Sequence, residues 1–248
     1  MILTIAHKEF RSLFATPSTW MILGALQFIF AWFFLARLDA FLQMQAQLAQ
    51  IANAPGATLA VAMPLFGTLA LILMMLIPIF TMRLFAEERR NQTLTLLMTA
   101  PVSDIHIVLG KFLGLMLFLL LIVASCTSMV LSLSAGTQLD TGLLLSNALG
   151  LLLLAASYAA LGLYISSLTA QPVIAAISAL ATLFGLWLIE VSAADSDNNT
   201  LSIIAPTNHF QSFNIGLLNS ADMIYFVVFI ASFLLLAIRR IRNNRIYG

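Results

Sequence analysis

The sequence predicts an all-α integral membrane protein of six transmembrane helices, with both termini on the cytoplasmic side. Three observations carry this. The 248 residues are 61% hydrophobic and only 8% charged, with a mean hydropathy of +1.02; a soluble domain carries about 25% charged residues and needs them to cover its surface. Six apolar runs each approach or exceed the ~20 residues that a membrane helix requires. The basic residues are segregated. With the N-terminus inside, Lys8, Arg11, Arg83, Arg89, Arg90, Lys111, Arg239, Arg240, Arg242 and Arg245 all fall on the cytoplasmic side, and of the 11 Lys and Arg only Arg37 falls outside. That is the positive-inside pattern. Asp39, Asp140, Glu190, Asp195, Asp197 and Asp222 collect on the other side.

In chain order, residues 1–16 come first. In "MILTIAHKEFRSLF", Leu3, Ala6, Phe10, Leu13 and Phe14 recur near helical spacing, and His7, Lys8 and Arg11 take the other face. This predicts an amphipathic helix in the cytoplasmic interface, either a plain anchor or a functional element. No small-residue cleavage site follows the first apolar run, so that run is expected to be a retained span. The spans are expected at 18–36, 62–82, 105–134, 141–167, 172–191 and 223–238. The third and fourth exceed the hydrocarbon thickness and must tilt or protrude. Pro172 opens the fifth, where its missing N–H costs little. Between them lie a Gln-rich outer segment at 37–61, a charged cytoplasmic segment at 83–104 and a second outer segment, expected to be re-entrant, at 192–221. A basic tail at 239–248 reads first as a stop-transfer signal and second as a site for acidic lipid. The whole of 1–248 reads as one transmembrane domain.

The chain lacks the residue constellations of an enzyme. His7, His106 and His209 lie in different segments, and no Cys/His or carboxylate cluster has the spacing of a metal site. Neither G-x-S-x-G nor H-E-x-x-H occurs. "LGKF" around Lys111 lacks the upstream glycine and the following Ser/Thr of a phosphate-binding loop. No ionisable residue falls near the middle of a span, where ion-coupled carriers place carboxylates or histidines. Small residues in the spans point to close helix packing or a substrate lining, and Gly110 and Gly114 form a GxxxG at the start of the third span.

The stretch "FAEERRNQTLTLLMTAPVSD" stands out. Glu87, Glu88, Arg89 and Arg90 belong in water. Thr93 is expected to cap a short helix through its hydroxyl. Leu94, Leu97 and Met98 then share one face, and Pro101 ends the helix. Ser103 or Asp104 is expected to cap the next one. So short a helix is marginal alone, and its apolar face suits a groove on another protein; the plainer reading is a loop with a short interfacial helix.

"PIFTMRLFAEERRNQTLTLLMTAPVSDIHIVLGKF" resembles the signature of ABC-2 type transporter permeases, in the branch of the gliding-motility and nitrous-oxide-reductase-maturation permeases. That pattern runs M-R-x-x-x-E-E-R-[RK]-x-G-T-L-E-L-L-x-[TS]-x-P-[VI]-[ST], followed by I-V-L-G-K. This chain supplies Met82, Arg83, Glu87, Glu88, Arg89, Thr93, Leu94, Leu96, Leu97, Thr99, Pro101, Val102 and Ser103. "KEFRSLFATPSTW", with Lys8, Glu9, Phe10 and Arg11, resembles the family's N-terminal elbow. "APTNHFQSFNIGLL" and "DMIYF" resemble its last outer loop, with Pro206, His209, Phe210, Phe213 and Gly216 in place. The chain departs from the pattern at Gln92, where the family has Gly, and at Thr95, where Glu is common.

The resemblance implies a half-transporter of the ABC-2, or type V exporter-like, fold in a bacterial inner (plasma) membrane. Two permease subunits, identical or different, would face each other in lipid, each above a separate ABC ATPase that binds the ATP and Mg. This chain would hold no cofactor, contact no nucleic acid and perform no catalysis. Residues 83–104 would be the coupling region: Leu94, Leu97 and Met98 the apolar contacts, and Glu87, Glu88, Arg89 and Arg90 the hinge. The cargo would be exported or extracted, and amphipathic or lipid-linked. Two other readings stay open here. One is a complex that transmits force to a periplasmic partner without moving cargo; the other is an ion-driven carrier.

Overall fold

The computed structural model describes residues 1–48, 56, 58–93, 102–135, 139–194 and 202–247. Among them every regular element is helical, and six helices are long and apolar enough to cross a membrane. Helix α1 (Ile2–Ala15) and helix α2 (Pro17–Leu48) are separated by Thr16 alone. Thr16 is extended (φ −88°, ψ 123°), because a residue before proline is pushed out of the α region. Its hydroxyl donates to the Ser12 and Leu13 carbonyls freed at the end of α1.

Helix α3 spans Thr58–Arg90. It is α-helical over Met63–Met82 and wound in the wider π form at Thr58–Ala62 and Arg83–Glu87. Helix α4 (Asp104–Leu131) and helix α5 (Thr141–Leu168) follow, then α6 (Pro172–Ala194), the short α7 (Pro206–Asn214) and α8 (Ser220–Tyr247). The Asp140 carboxylate caps α5 by accepting from the Gly142 and Leu143 N–H groups, as an N-cap aspartate does.

Helix α5 is the axis of the bundle and packs against α3, α4, α6, α7 and α8. Its middle, Leu154–Leu163, is buried on all sides, which requires an apolar surface all round. Ala155, Ala156, Ser157, Ala159, Ala160 and Gly162 are all buried, and such small side chains let neighbouring backbones approach. At Gly162 an added Cβ would lie 2.4 Å from the Thr81 hydroxyl of α3. The spans divide accordingly: α3, α4 and α5 bury 50%, 61% and 67% of their most apolar windows, against 17%, 17% and 22% for α2, α6 and α8. The peripheral three therefore carry the surface left for lipid or another subunit.

Two segments differ from the boundaries that hydropathy suggests. Helix α2 runs through Leu48, into the segment expected as an outer loop at 37–61. Helix α8 runs through Tyr247, so the basic stretch at 239–248 is helical almost to its end. Hydropathy marks where a helix leaves apolar surroundings; backbone hydrogen bonds continue past that point until a breaker intervenes, and neither Arg37–Leu48 nor Arg239–Tyr247 contains a proline.

Candidate functional site

Two clusters of polar residues lie at opposite ends of the bundle. The first surrounds Lys111, about two turns inside α4. Its side chain is 1% exposed, and its Nζ donates to Glu9 of α1 at 3.0 Å and to Glu88 of α3 at 2.6 Å. The ammonium also lies 5.3 Å from the centroid of the Phe85 ring. A buried lysine needs such partners, because desolvating an unpaired charge is prohibitive. The result is one cation joining three elements: α1, the end of α3 and the start of α4.

The glycines beside Lys111 allow it. A Cβ at Gly110 would lie 2.7 Å from Ile5 Cβ, and one at Gly114 would lie 2.8 Å from both the Ala6 carbonyl and Glu9 Cβ. Helix α1 therefore lies directly on the backbone of α4 along the GxxxG face. Aromatic contacts extend the seam: Phe10 meets Phe14 (4.9 Å between centroids), and Phe14 meets Phe118 (5.5 Å) and Trp20 (5.5 Å) edge-on. Lys8 is largely exposed, 3.8 Å from Glu9, and Arg11 is exposed.

The end of α3 is held from the other side by Ser166 of α5. Its hydroxyl accepts from the Phe85 and Ala86 N–H groups (3.2 and 3.1 Å) and donates to the Met82 carbonyl (3.3 Å). A π turn disturbs the regular α-helical ladder, and this one hydroxyl serves three of its backbone groups in a fully buried position. Arg83 reaches Ser18 at the start of α2 (3.4 Å). Glu87 and Arg90 are exposed, whereas Arg89 is half-buried and lies close enough to Arg240 of α8 for mutual repulsion.

Past Thr93, the short helix that its hydroxyl is expected to cap lies outside the described residues. The Thr93 hydroxyl donates backwards to the Glu88 carbonyl (3.3 Å) and closes the end of α3. Ser103 occupies the N-cap of α4, but its hydroxyl pairs with the His106 ring and not with a backbone N–H. Leu94, Leu97, Met98 and Pro101 lie outside the described residues. Gln92 has φ +59°, in the left-handed region that favours glycine. That accounts for the glycine of the resembled pattern at this point. Gln92→Gly is expected to raise stability by about 0.5–1 kcal/mol, the relief of left-handed strain less the added chain entropy. Thermal unfolding in detergent checks it.

The second cluster is built on α7. Pro206 takes its first turn, where a proline fits. Gly216 (φ +89°) closes it: the Gly216 N–H donates to the Phe213 carbonyl and the Leu217 N–H to the Ser212 carbonyl, the paired bonds of a Schellman motif. Phe210 and Phe213 are buried against Gly150 of α5. His209 has acceptors on both ring nitrogens, Asp222 Oδ1 at 2.5 Å from Nδ1 and the Ile203 carbonyl at 2.9 Å from Nε2. The ring can donate an N–H to either acceptor. It stacks on Tyr225 (3.8 Å between centroids), whose hydroxyl donates to the Ile204 carbonyl at 2.5 Å. Nearby, Glu190 of α6 is 8% exposed and accepts from Thr207 and from Gln211 (2.8 Å).

Sequence reasoning named Glu9, Glu88, Gly110 and Gly114, and the structure brings them together. It did not assign Lys111, Ser166 or Glu190. The signal for Lys111 was present, as a lone lysine in an apolar helix must have an acidic mate. A serine among many span serines carries no such mark.

The profile of the ABC-2 family of transporter proteins matches residues 3–243. No curated protein matches the chain in sequence. With six spanning helices and a match over nearly its whole length, the chain belongs to the ABC-2 family and is a multi-pass permease subunit of an ABC transporter, a family role that implies association with an ABC ATPase.

Proposed function

We propose that the chain dimerises, takes one ATPase under each copy, and converts ATP-driven closure of that pair into movement of its helices, exporting or extracting an amphipathic or lipid-linked substrate. The observation that carries this is the Lys111 bridge. Residues 83–104 are the coupling region, and the part of it before Asn91 is tied to α1 and α4 through Glu88 and Lys111 and to α5 through Ser166. A push on that segment thus reaches three helices together, with α1 acting as the elbow. The excess of Lys and Arg at this end makes it the cytoplasmic one, with both chain termini on that side of a bacterial inner membrane. The mutual repulsion of Arg89 and Arg240 favours an acidic surface on the partner.

Leu94→Asp with Leu97→Asp is expected to abolish stimulated ATP turnover while the permease still inserts, because two carboxylates cannot enter an apolar groove without large desolvation. Turnover by the purified complex is the measurement; wild-type turnover in the double variant removes the coupling role.

A further inference from the structure

We infer that the cleft between α3, α6 and α7 binds the cationic group of an amphipathic ligand, a primary or quaternary ammonium, with Glu190 as counter-ion. This rests on the proposed transport function only in making that ligand cargo.

Glu190 is buried, and both of its hydrogen-bond donors, the Thr207 hydroxyl and the Gln211 amide, are neutral. Among the described residues no Lys, Arg or His forms an ion pair with it. The contrast with Lys111, which is paired twice, is sharp. A carboxylate withdrawn from water calls for a counter-charge, and here the space for one is present. The cleft beside Glu190 has a volume of about 420 Å³, within the ordinary range for small-molecule sites.

Its other walls suit an ammonium. Trp187 stands one turn before Glu190 on the same face of α6 and also lines the cleft; an indole face attracts a cation. Asn214, 8% exposed, lines the cleft and has its Oδ1 buried without a hydrogen-bond partner. Opposite, Gly67 leaves the space open: an added Cβ there meets only Asn214 Nδ2, at 3.9 Å. Met63, Ala70 and Leu71 line the α3 side and provide an apolar bed for a chain attached to the cation. Carboxylate and indole together select positive charge, whereas a phosphate would face Glu190 with like charge.

The test uses the full-length protein in dodecyl maltoside and two photoreactive probes of equal chain length, a dodecyltrimethylammonium and an uncharged dodecyl alcohol. The cationic probe is expected to label peptides containing Trp187 or Gln211 at least tenfold more than the uncharged one, and Glu190→Gln is expected to remove that preference. Trp187→Leu, which leaves the carboxylate in place, is expected to reduce it about threefold and serves should Glu190→Gln fail to fold. Equal labelling by both probes in the wild type, or an unchanged preference in the variants, overturns the site. Failure here is distinct from failure of the transport reading. A protein that brings down an active ATPase yet shows no cation preference loses only the site. One that prefers the cation but brings down no ATPase keeps it.

Discussion

Replacing Lys111 with methionine is expected to abolish ATP turnover coupled through the permease and to lower folding stability by about 3–5 kcal/mol, the usual cost of removing one partner from a buried ion pair. The magnitude follows from what remains. Glu9 and Glu88, 12% and 19% exposed, would face each other across the seam with no cation between them. Helix α1 would lose its polar tie to α4 and keep only the glycine and aromatic contacts. The triple variant Lys111→Met, Glu9→Gln, Glu88→Gln separates stability from coupling. Removing all three charges should restore most of the melting temperature, since apolar replacements of buried pairs are often neutral. It should not restore turnover, because the bridge from the coupling region to α1 is gone. Thermal unfolding and ATP hydrolysis of the reconstituted complex measure the two effects. Wild-type turnover in Lys111→Met would show that the bridge plays no part in coupling.

At the other end of the bundle, Gly150→Val is expected to unseat α7 and to cost about 1–3 kcal/mol or more by overpacking. A Cβ at this position would sit 2.4 Å from Phe213 Cβ and 2.8 Å from its Cγ. Phe213 has little room to give way. It is fully buried, its ring lies 6.0 Å from that of Phe226, and its carbonyl accepts from the Ser146 hydroxyl at 2.9 Å. The expected readout is faster hydrogen exchange across Pro206–Asn214, with ATPase binding retained because the proposed coupling region starts at the opposite end. Phe213→Ala combined with Gly150→Ala should recover part of the loss, since contacting residues couple in a double-mutant cycle. An unaltered α7 in Gly150→Val would mean that the two helices do not pack this closely.

Much of this arrangement was legible in the sequence, and the reasons differ by residue. Spans are read from hydropathy because membrane helices must be apolar for their whole immersed length. Gly110 and Gly114 announced a close contact by their spacing but not its partner; that the partner is α1 depends on tertiary packing. Glu88 read as part of a water-exposed charged run, yet it turns inward to Lys111, since four consecutive helical residues point in different directions. Gln92 was marked as a departure from the resembled pattern, and its left-handed backbone supplies the physical reason. Ser166 and Glu190 were illegible as site residues. Ser166 acts on backbone groups far away in sequence, and Glu190 has the plain signature of a charge at a helix end. The Schellman close at Gly216 was not legible, because its two bonds depend on the path the backbone takes beyond Asn214.

The central claim is that the segment 83–104 couples this permease to a separate ATPase. The most direct test is affinity purification of the tagged chain from its native membranes in mild detergent, assayed for ATP hydrolysis. The expected result is that an ATPase subunit comes down with the permease, turns over ATP, and is lost or uncoupled in the Leu94→Asp, Leu97→Asp variant. Recovery of the permease alone and inactive, under conditions that preserve membrane complexes, would contradict it.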